Sequence, residues 1–260
     1  MIGDETGEGM DPAGRTAVVT GGNSGLGEAT VHALLAAGAR VISLDLGGSA
    51  PDGAQFIACD VASPAAVKSA VAAIDGPIHI LVNCAGIGGI GAIATAEGPG
   101  DVEAVRRVVE VNLLGAINVT AEVAHRMIGN DPVGEDGERG VIINACSIAS
   151  FEGQEGMSAY TAAKAGLAGL VLVWARDLSQ HAIRCMGVAP GLMATPMVAF
   201  LPEDFLAELL KDAEFPRRAG RPDEFARVAL FVIENPLLNG DVIRLDAGTR
   251  PPARTQWSAS

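Results

Sequence analysis

Basic residues are scarce in this chain. Eighteen lysines and arginines face 31 aspartates and glutamates, a net charge of −13. That excludes the uniformly basic surface a nucleic-acid partner requires. Long apolar runs are missing as well: no stretch is read as reaching a membrane span, so no membrane partner is expected. The opening "MIGDETGEGMDPAG" is acidic and glycine-rich, unlike a signal peptide or an arginine-rich transit peptide. The four cysteines, Cys59, Cys84, Cys146 and Cys185, lie 25, 62 and 39 residues apart. These spacings match neither zinc pairs nor a CxxC redox site. Each has small or apolar neighbours and is expected to be a buried free thiol, which implies a reducing compartment and a cytoplasmic location. His32, His79, His125 and His181 do not stand with carboxylates at ligand spacing, so they read as structural and no metal is expected.

What the chain does have is core. It is 49% hydrophobic and 19% charged, with 33 glycines and 4% aromatics. Tight turns between closely approaching elements suit an alternating α/β fold. Apolar strand runs at 15–20, 40–45, 54–60, 78–86, 140–147, 183–190 and 240–246 alternate with helical stretches at 24–38, 63–74, 101–128 and 158–179. Ser63 before Pro64 marks the start of the second helix. Such alternation predicts one doubly wound parallel sheet over residues 11–250. Residues 1–10 read as an acidic tail and residues 251–260 as a C-terminal tail.

The first strand runs into "TGGNSGLG" (20–27). Gly21, Gly25 and Gly27 leave room for a tight turn and for backbone to approach a pyrophosphate, while the helix that follows offers amide donors. Asp45 ends the second strand, 18 residues beyond Gly27, where a carboxylate accepts hydrogen bonds from an adenosine ribose and repels a 2′-phosphate. Leu46 follows it and no arginine or lysine shares the turn, so NAD is expected rather than NADP. Asp60 and the small turn Cys84–Ala85–Gly86 end the next two strands, where ligands of open α/β sheets bind.

The only tyrosine, Tyr160, lies four residues before Lys164, one of three lysines. On a helix the two share a face. A free phenol titrates near 10; a neighbouring ammonium and an oxidised nicotinamide both stabilise the phenolate. Tyr160 then serves as general base for a substrate hydroxyl while hydride leaves for the cofactor. Ser147, at a strand end, is placed to hydrogen-bond the substrate oxygen.

"TGGNSGLG", "NCAG", "NACS", "YTAAK" and "APG" occur in the order of the short-chain dehydrogenase/reductase family, which the chain resembles over nearly its whole length. The resemblance implies a Rossmann-type sheet of about seven parallel strands. It implies a catalytic group of Ser147, Tyr160 and Lys164, with Asn112 bending the long helix and holding a water on a proton path. A narrower resemblance, in "GVIINACSIASFEGQEGMSAYTAAKAG" and "NPLLNGDVIRLDAG", is to the branch of type-2 3-hydroxyacyl-CoA dehydrogenases, also called type-10 17β-hydroxysteroid dehydrogenases. That branch implies NAD, oxidation of (S)-3-hydroxyacyl-CoA thioesters or steroid alcohols, and a homotetramer. It adds Ser24, Leu26, Val61, Pro190, Gly191, Met193 and Thr195 to the cofactor contacts, beside Asp45, Asp60 and Cys84. Many family members carry Asn where Cys84 stands and Ser where Cys146 stands.

Residues 192–218 fall where the family carries a substrate lid. Phe200, Phe205, Leu206, Leu209 and Leu210 form an apolar stripe there that serves equally as lid or core. Arg217, Arg218 and Arg221 follow and are candidates for CoA phosphates. The readings competing with a 3-hydroxyacyl-CoA dehydrogenase are a hydroxysteroid or other alcohol dehydrogenase, a 3-oxoacyl carrier-protein reductase, which usually prefers NADPH, and a non-catalytic dinucleotide-binding scaffold.

Overall fold

Strand β1 (Thr16–Thr20) is buried at every position, as a central parallel strand covered on both faces must be. The computed structural model describes residues 9–199 and 203–253. Residues 1–8 of the expected acidic tail over 1–10, Phe200 of the apolar stripe and the chain beyond 253 lie outside the described residues, as does the side chain of Phe205.

From β1 the chain runs through α1 (Gly25–Ala36), β2 (Arg40–Asp45), β3 (Gln55–Ala58), α2 (Pro64–Ala72) and β4 (Ile80–Asn83). A short antiparallel pair follows, β5 (Ala94–Thr95) and β6 (Gly98–Pro99), then α3 (Val102–Val109) and α4 (Gly115–Ile128). The chain closes with β7 (Gly140–Ala145), α5 (Ser158–Ser179), β8 (Ile183–Pro190), α6 (Glu203–Leu210), α7 (Pro222–Glu234) and β9 (Val242–Leu245).

Seven strands pair in the order β3-β2-β1-β4-β7-β8-β9, all parallel. The order reverses between β1 and β4, so the crevice outside their carboxyl ends is the expected ligand position. Alternate strand residues feed two cores. On one face Val18, Ile42 and Leu81 pack with α2, α4 and α5 through Val67, Val123 and Leu167. On the other, Val19, Val41 and Val82 pack with α1 and α7 through Leu34, Phe225 and Val232.

The single long helix expected over 101–128 is two helices. Asp101 caps α3, its carboxylate accepting the Ala104 amide, and a π-helical turn over Glu110–Leu114 separates α3 from α4. One extra residue in that turn re-aims Asn112. Two elements go beyond the sequence reading: α7, and the pair β5–β6, whose two-residue strands are too short to carry a period. Helix α5 is long and apolar enough to cross a membrane by length and composition, with a third of its apolar window buried, so the reading that no stretch reaches that length is corrected. Here α5 lies along the sheet, with Leu167 and Val171 in the core and Leu172 and Val173 exposed.

Two sets of contacts lie outside the 11–250 span. Met10 is buried, next to a Gly9 amide that donates to the Glu234 carbonyl. At the other end, residues 251–253 pack against the loop before α5.

Candidate active site

The glycine loop leaves no room for side chains. A Cβ at Gly27 would sit 2.1 Å from the Gly21 carbonyl oxygen, and one at Gly21 would sit 2.9 Å from Ala85 Cα. Gly21 also has φ +65°, in the left-handed region that favours glycine. Ser24 stands at the N-cap of α1 without a side-chain capping bond, so the amides of the first turn, at Leu26 and Gly27, stay open to an anion. This cradle fits the pyrophosphate of a dinucleotide.

Polar side chains not singled out in the sequence hold the loop in place. Thr20 Oγ1 accepts the amides of Cys84 and Ala85 at 3.1 and 3.0 Å, tying β1 to the turn after β4. Asn23 donates to the Gly47 carbonyl at 2.8 Å and accepts from Ser43 Oγ at 2.6 Å. Its own amide donates to Asp45 Oδ2 at 3.1 Å, while the Leu46 amide donates to Asp45 Oδ1 at 2.7 Å. The Asp45 carboxylate is thereby aimed before any ligand arrives. The available signal was Ser43: a fully buried hydroxyl on an apolar strand needs a partner. Asp60 Oδ1 accepts the Ala62 amide at 3.0 Å, which sets the turn that presents Val61.

Helix α5 delivers Tyr160 and Lys164 one turn apart, and the ammonium lies 5.8 Å from the centre of the phenol ring. Lys164 is 5% exposed, and its Nζ donates to the Ala145 carbonyl at 2.7 Å. No salt bridge engages it among the described residues. Its remaining N–H donors are therefore free for a ligand. Ser147 caps a single 3-10 turn, Ile148–Ser150, with Oγ accepting the Ala149 amide at 3.2 Å. Ser150 Oγ donates to the Lys164 carbonyl at 2.8 Å, fastening that turn to α5.

Ser147, Tyr160 and Lys164 line one cavity of about 1350 Å³, together with Gly21, Ser24, Gly25, Leu26, Gly27, Asp45, Asp60, Val61, Cys84, Ala85, Gly86, Pro190, Gly191, Met193 and Thr195. Asn112 is not on that wall. It is 1% exposed and lies behind Gly86, where a Cβ would come within 3.1 Å of Asn112 Oδ1 and 3.7 Å of Lys164 Nζ. The far end of the cavity is lined by Met197, Leu209, Leu210, Ala213 and Pro216, and by Asp246, Ala247, Thr249 and Pro251. The C-terminal stretch that the sequence marks as a tail therefore begins on the cavity wall.

Three cysteines, Cys59, Cys84 and Cys146, line the same cavity as free thiols. Burial pushes Cys84 up to about 12 and Cys146 up to about 11, against the opposing pull of the Lys164 charge. They are neutral, small walls rather than nucleophiles. His79 is structural, its Nδ1 accepting the Thr16 amide at 3.3 Å, and burial followed by the Arg15 charge lowers its pKa. Of the three arginines considered for CoA, Arg218 lines the cavity but is gripped by both oxygens of Glu224 at 2.7 and 2.9 Å. Arg221 pairs with Asp223 and Glu224, and Arg217 donates to the Glu214 carbonyl.

Residues 15–205 match the family model described as short chain dehydrogenase. The human 3-hydroxyacyl-CoA dehydrogenase type-2 is 43% identical over 254 residues, covering 91% of this chain and 95% of the human protein. A 3-alpha-(or 20-beta)-hydroxysteroid dehydrogenase of Mycobacterium tuberculosis is 34% identical over 251 residues, covering 91% of this chain and 89% of that one. Among solved structures, 3-hydroxyacyl-CoA dehydrogenase type-2 from Mycobacterium avium superposes with a TM-score of 0.86 at 38% identity, covering 92% of this chain and 97% of that one.

Proposed function

This chain belongs to the short-chain dehydrogenase family, and on that premise we propose that it oxidises the secondary alcohol of a 3-hydroxyacyl-CoA thioester to the 3-oxoacyl-CoA, with NAD as hydride acceptor. The observation that carries the reading is the convergence of Tyr160, Lys164 and Ser147 on the cavity that the glycine loop also lines.

When bound, the dinucleotide supplies a nicotinamide that takes the hydride. The rest falls to this chain. The first-turn amides of α1 would hold the pyrophosphate and Asp45 would receive the ribose hydroxyls. Ser147 donates a hydrogen bond to the substrate oxygen, so the reacting carbon is held in one orientation. Tyr160 takes the hydroxyl proton as the C–H bond breaks. Lys164, with N–H groups left over after Ala145, stabilises the phenolate electrostatically and would offer hydrogen bonds to a bound dinucleotide. Asn112 acts from behind by holding Ile87 and the turn around Gly86.

NAD rather than NADP is supported by the Asp45 carboxylate, which repels a 2′-phosphate, and by a following turn that presents Leu46, 67% exposed, and no cation. The segment from Leu192 to Arg218 is read as a lid that closes Leu209, Leu210 and Pro216 over the acyl chain and excludes water from the transfer. A homotetramer fits the apolar outer face of α5, where Leu172 is exposed beside Phe151 and Val173 is exposed as well. The apolar residues of the far end, Met197, Leu209, Leu210 and Pro216, also suit a steroid alcohol, the substrate class in the name of the Mycobacterium tuberculosis relative.

Initial rates with NAD on short, medium and long 3-hydroxyacyl-CoA and on a hydroxysteroid, followed at 340 nm, test the reading. Absorbance should rise fastest on an acyl-CoA. A flat trace on every alcohol would leave a dinucleotide-binding scaffold, and a steroid turned over faster than any thioester would reverse the substrate order.

A further inference from the structure

The stretch "RLDAGTRPPA" (244–253) carries two arginines and an aspartate in its first seven residues. All three enter one ion-pair cluster. Glu152 Oε1 accepts Arg244 at 2.8 Å and lies 3.6 Å from Arg250 Nε. Asp246 Oδ2 lies 2.7 Å from Arg244 and 3.2 Å from Arg250. The Arg244 guanidinium stacks 5.3 Å from the centre of the Phe151 ring. The second oxygen of Glu152, Oε2, is buried without a hydrogen-bond partner. Both arginines therefore act on this carboxylate through one atom, and losing either leaves its charge under-compensated.

The backbone continues the same join on two sides. The Glu155 amide donates to the Ala253 carbonyl at 3.0 Å, and Gln154 Nε2 donates to the Pro252 carbonyl at 3.2 Å. In the other direction the amides of Glu214 and Phe215 donate to the Ala247 carbonyl at 3.0 and 3.3 Å. Ala247 adopts φ +53°, a strained conformation for a residue with a Cβ, held by these contacts. Residues 246–253 thus bridge the loop that leads into Tyr160 and the stretch that follows α6. Ala247, Thr249 and Pro251 line the cavity beside Gln154 and Met157. None of the bonds named here reaches the glycine loop, Asp45 or Asp60, which line the cofactor end.

We propose that residues 246–253 form the substrate-side wall of the cavity and set its width, with Glu152 and Arg250 as the positioning pair that decides which alcohol chains are accepted. This rests on the reading of the site as an alcohol dehydrogenase. The wall is built from small and rigid side chains, so its position matters more than its adaptability. A wall freed from Glu152 moves away from the acyl chain without disturbing the dinucleotide.

The test compares the full-length protein with Arg250→Ala, Arg250→Lys and a chain ending at Thr249. KM and kcat are measured on short, long and steroid alcohols, and the NAD dissociation constant by calorimetry. Arg250→Ala should raise KM for short 3-hydroxyacyl-CoA about two- to fivefold, as the loss of a partly exposed pair implies. Its kcat should stay within about twofold and its NAD affinity should be unchanged. The ratio of kcat/KM for bulky over short substrates should rise, further in the shortened chain, and Arg250→Lys should restore part of it. If the shortened chain does not fold, the two point variants carry the comparison. An unchanged substrate ratio in an active enzyme would overturn the wall alone, as would NAD affinity falling in step with KM. An unsubstituted protein inactive on every alcohol would overturn the dehydrogenase reading and the wall with it.

Discussion

Asn112 pairs with Ile87 as a strand neighbour would. Its Oδ1 accepts the Ile87 amide at 2.7 Å and its Nδ2 donates to the Ile87 carbonyl at 2.8 Å. A buried carboxamide matches both backbone groups of one loop residue because the π turn aims it out of the helical stack. Replacing Asn112 by Ala strands an amide and a carbonyl next to the cavity. Urea unfolding of Asn112→Ala should show a loss of about 1–3 kcal/mol, the cost of leaving buried backbone groups unpaired. Turnover should fall as well, because Ile87 and Gly86 line the site. Unfolding midpoints that coincide with the parent protein would show that the turn does not depend on this pairing.

Tyr160→Phe removes one oxygen from the cavity wall and leaves the ring against Lys164. Turnover should drop by about two to four orders of magnitude, the range for losing a general base. NAD affinity and melting temperature should not move. Retained turnover would take the proton transfer away from Tyr160.

Asp45 accepts two amides of its own neighbourhood and is already oriented. Hydrogen bonds to a charged acceptor contribute about 1.5–3 kcal/mol each. Asp45→Ala should therefore weaken NAD binding by about tenfold or more and narrow the NAD over NADP ratio in kcat/KM. A ratio equal to that of the parent protein would place cofactor choice elsewhere.

Glu224 is held down at about 2, from an ordinary 4.5, by hydrogen bonds first from the Arg218 side chain and then from the Arg221 amide. A carboxylate depressed in the folded state stabilises the fold above its unfolded value, and that contribution disappears as pH falls through the folded one. The melting-temperature gap between the parent protein and Glu224→Gln should be full above about pH 4.5 and close as pH approaches 2. The gap itself should be small, because the pair is partly exposed, Arg218 at 41% and Glu224 at 23%, and so screened. A gap constant across that window would assign the effect to packing.

The seven strands were legible because each is a short apolar run that stops at a turn residue; β1, β4, β7 and β8 are buried at every position, while the edge strand β3 is mostly exposed. Helix α5 was legible to the residue: Ser158–Ser179 holds no proline, and its two glycines, Gly166 and Gly169, are tolerated within a long helical run. The pair Tyr160 and Lys164 was legible because four residues along a helix is a distance in space as well as in sequence. By contrast β5–β6 has no alternation to read. Helix α7 did carry a signal, Pro222 at its first turn followed by Phe225, Ala229 and Val232 on one face.

The sequence by itself determined the parallel α/β fold, the glycine cradle, the acidic residue that ends β2 and the phenol–ammonium pair. Each rests on spacing within one element or on the turn that ends it, so local geometry carries it. Tertiary structure alone decided that Thr20 and Asn23 brace the cradle, that Asn112 reaches Ile87, and that Thr249 and Pro251 line the cavity. Those contacts join residues between 20 and 98 positions apart. Such a contact depends on how whole elements lie across the sheet, which no single stretch of chain encodes.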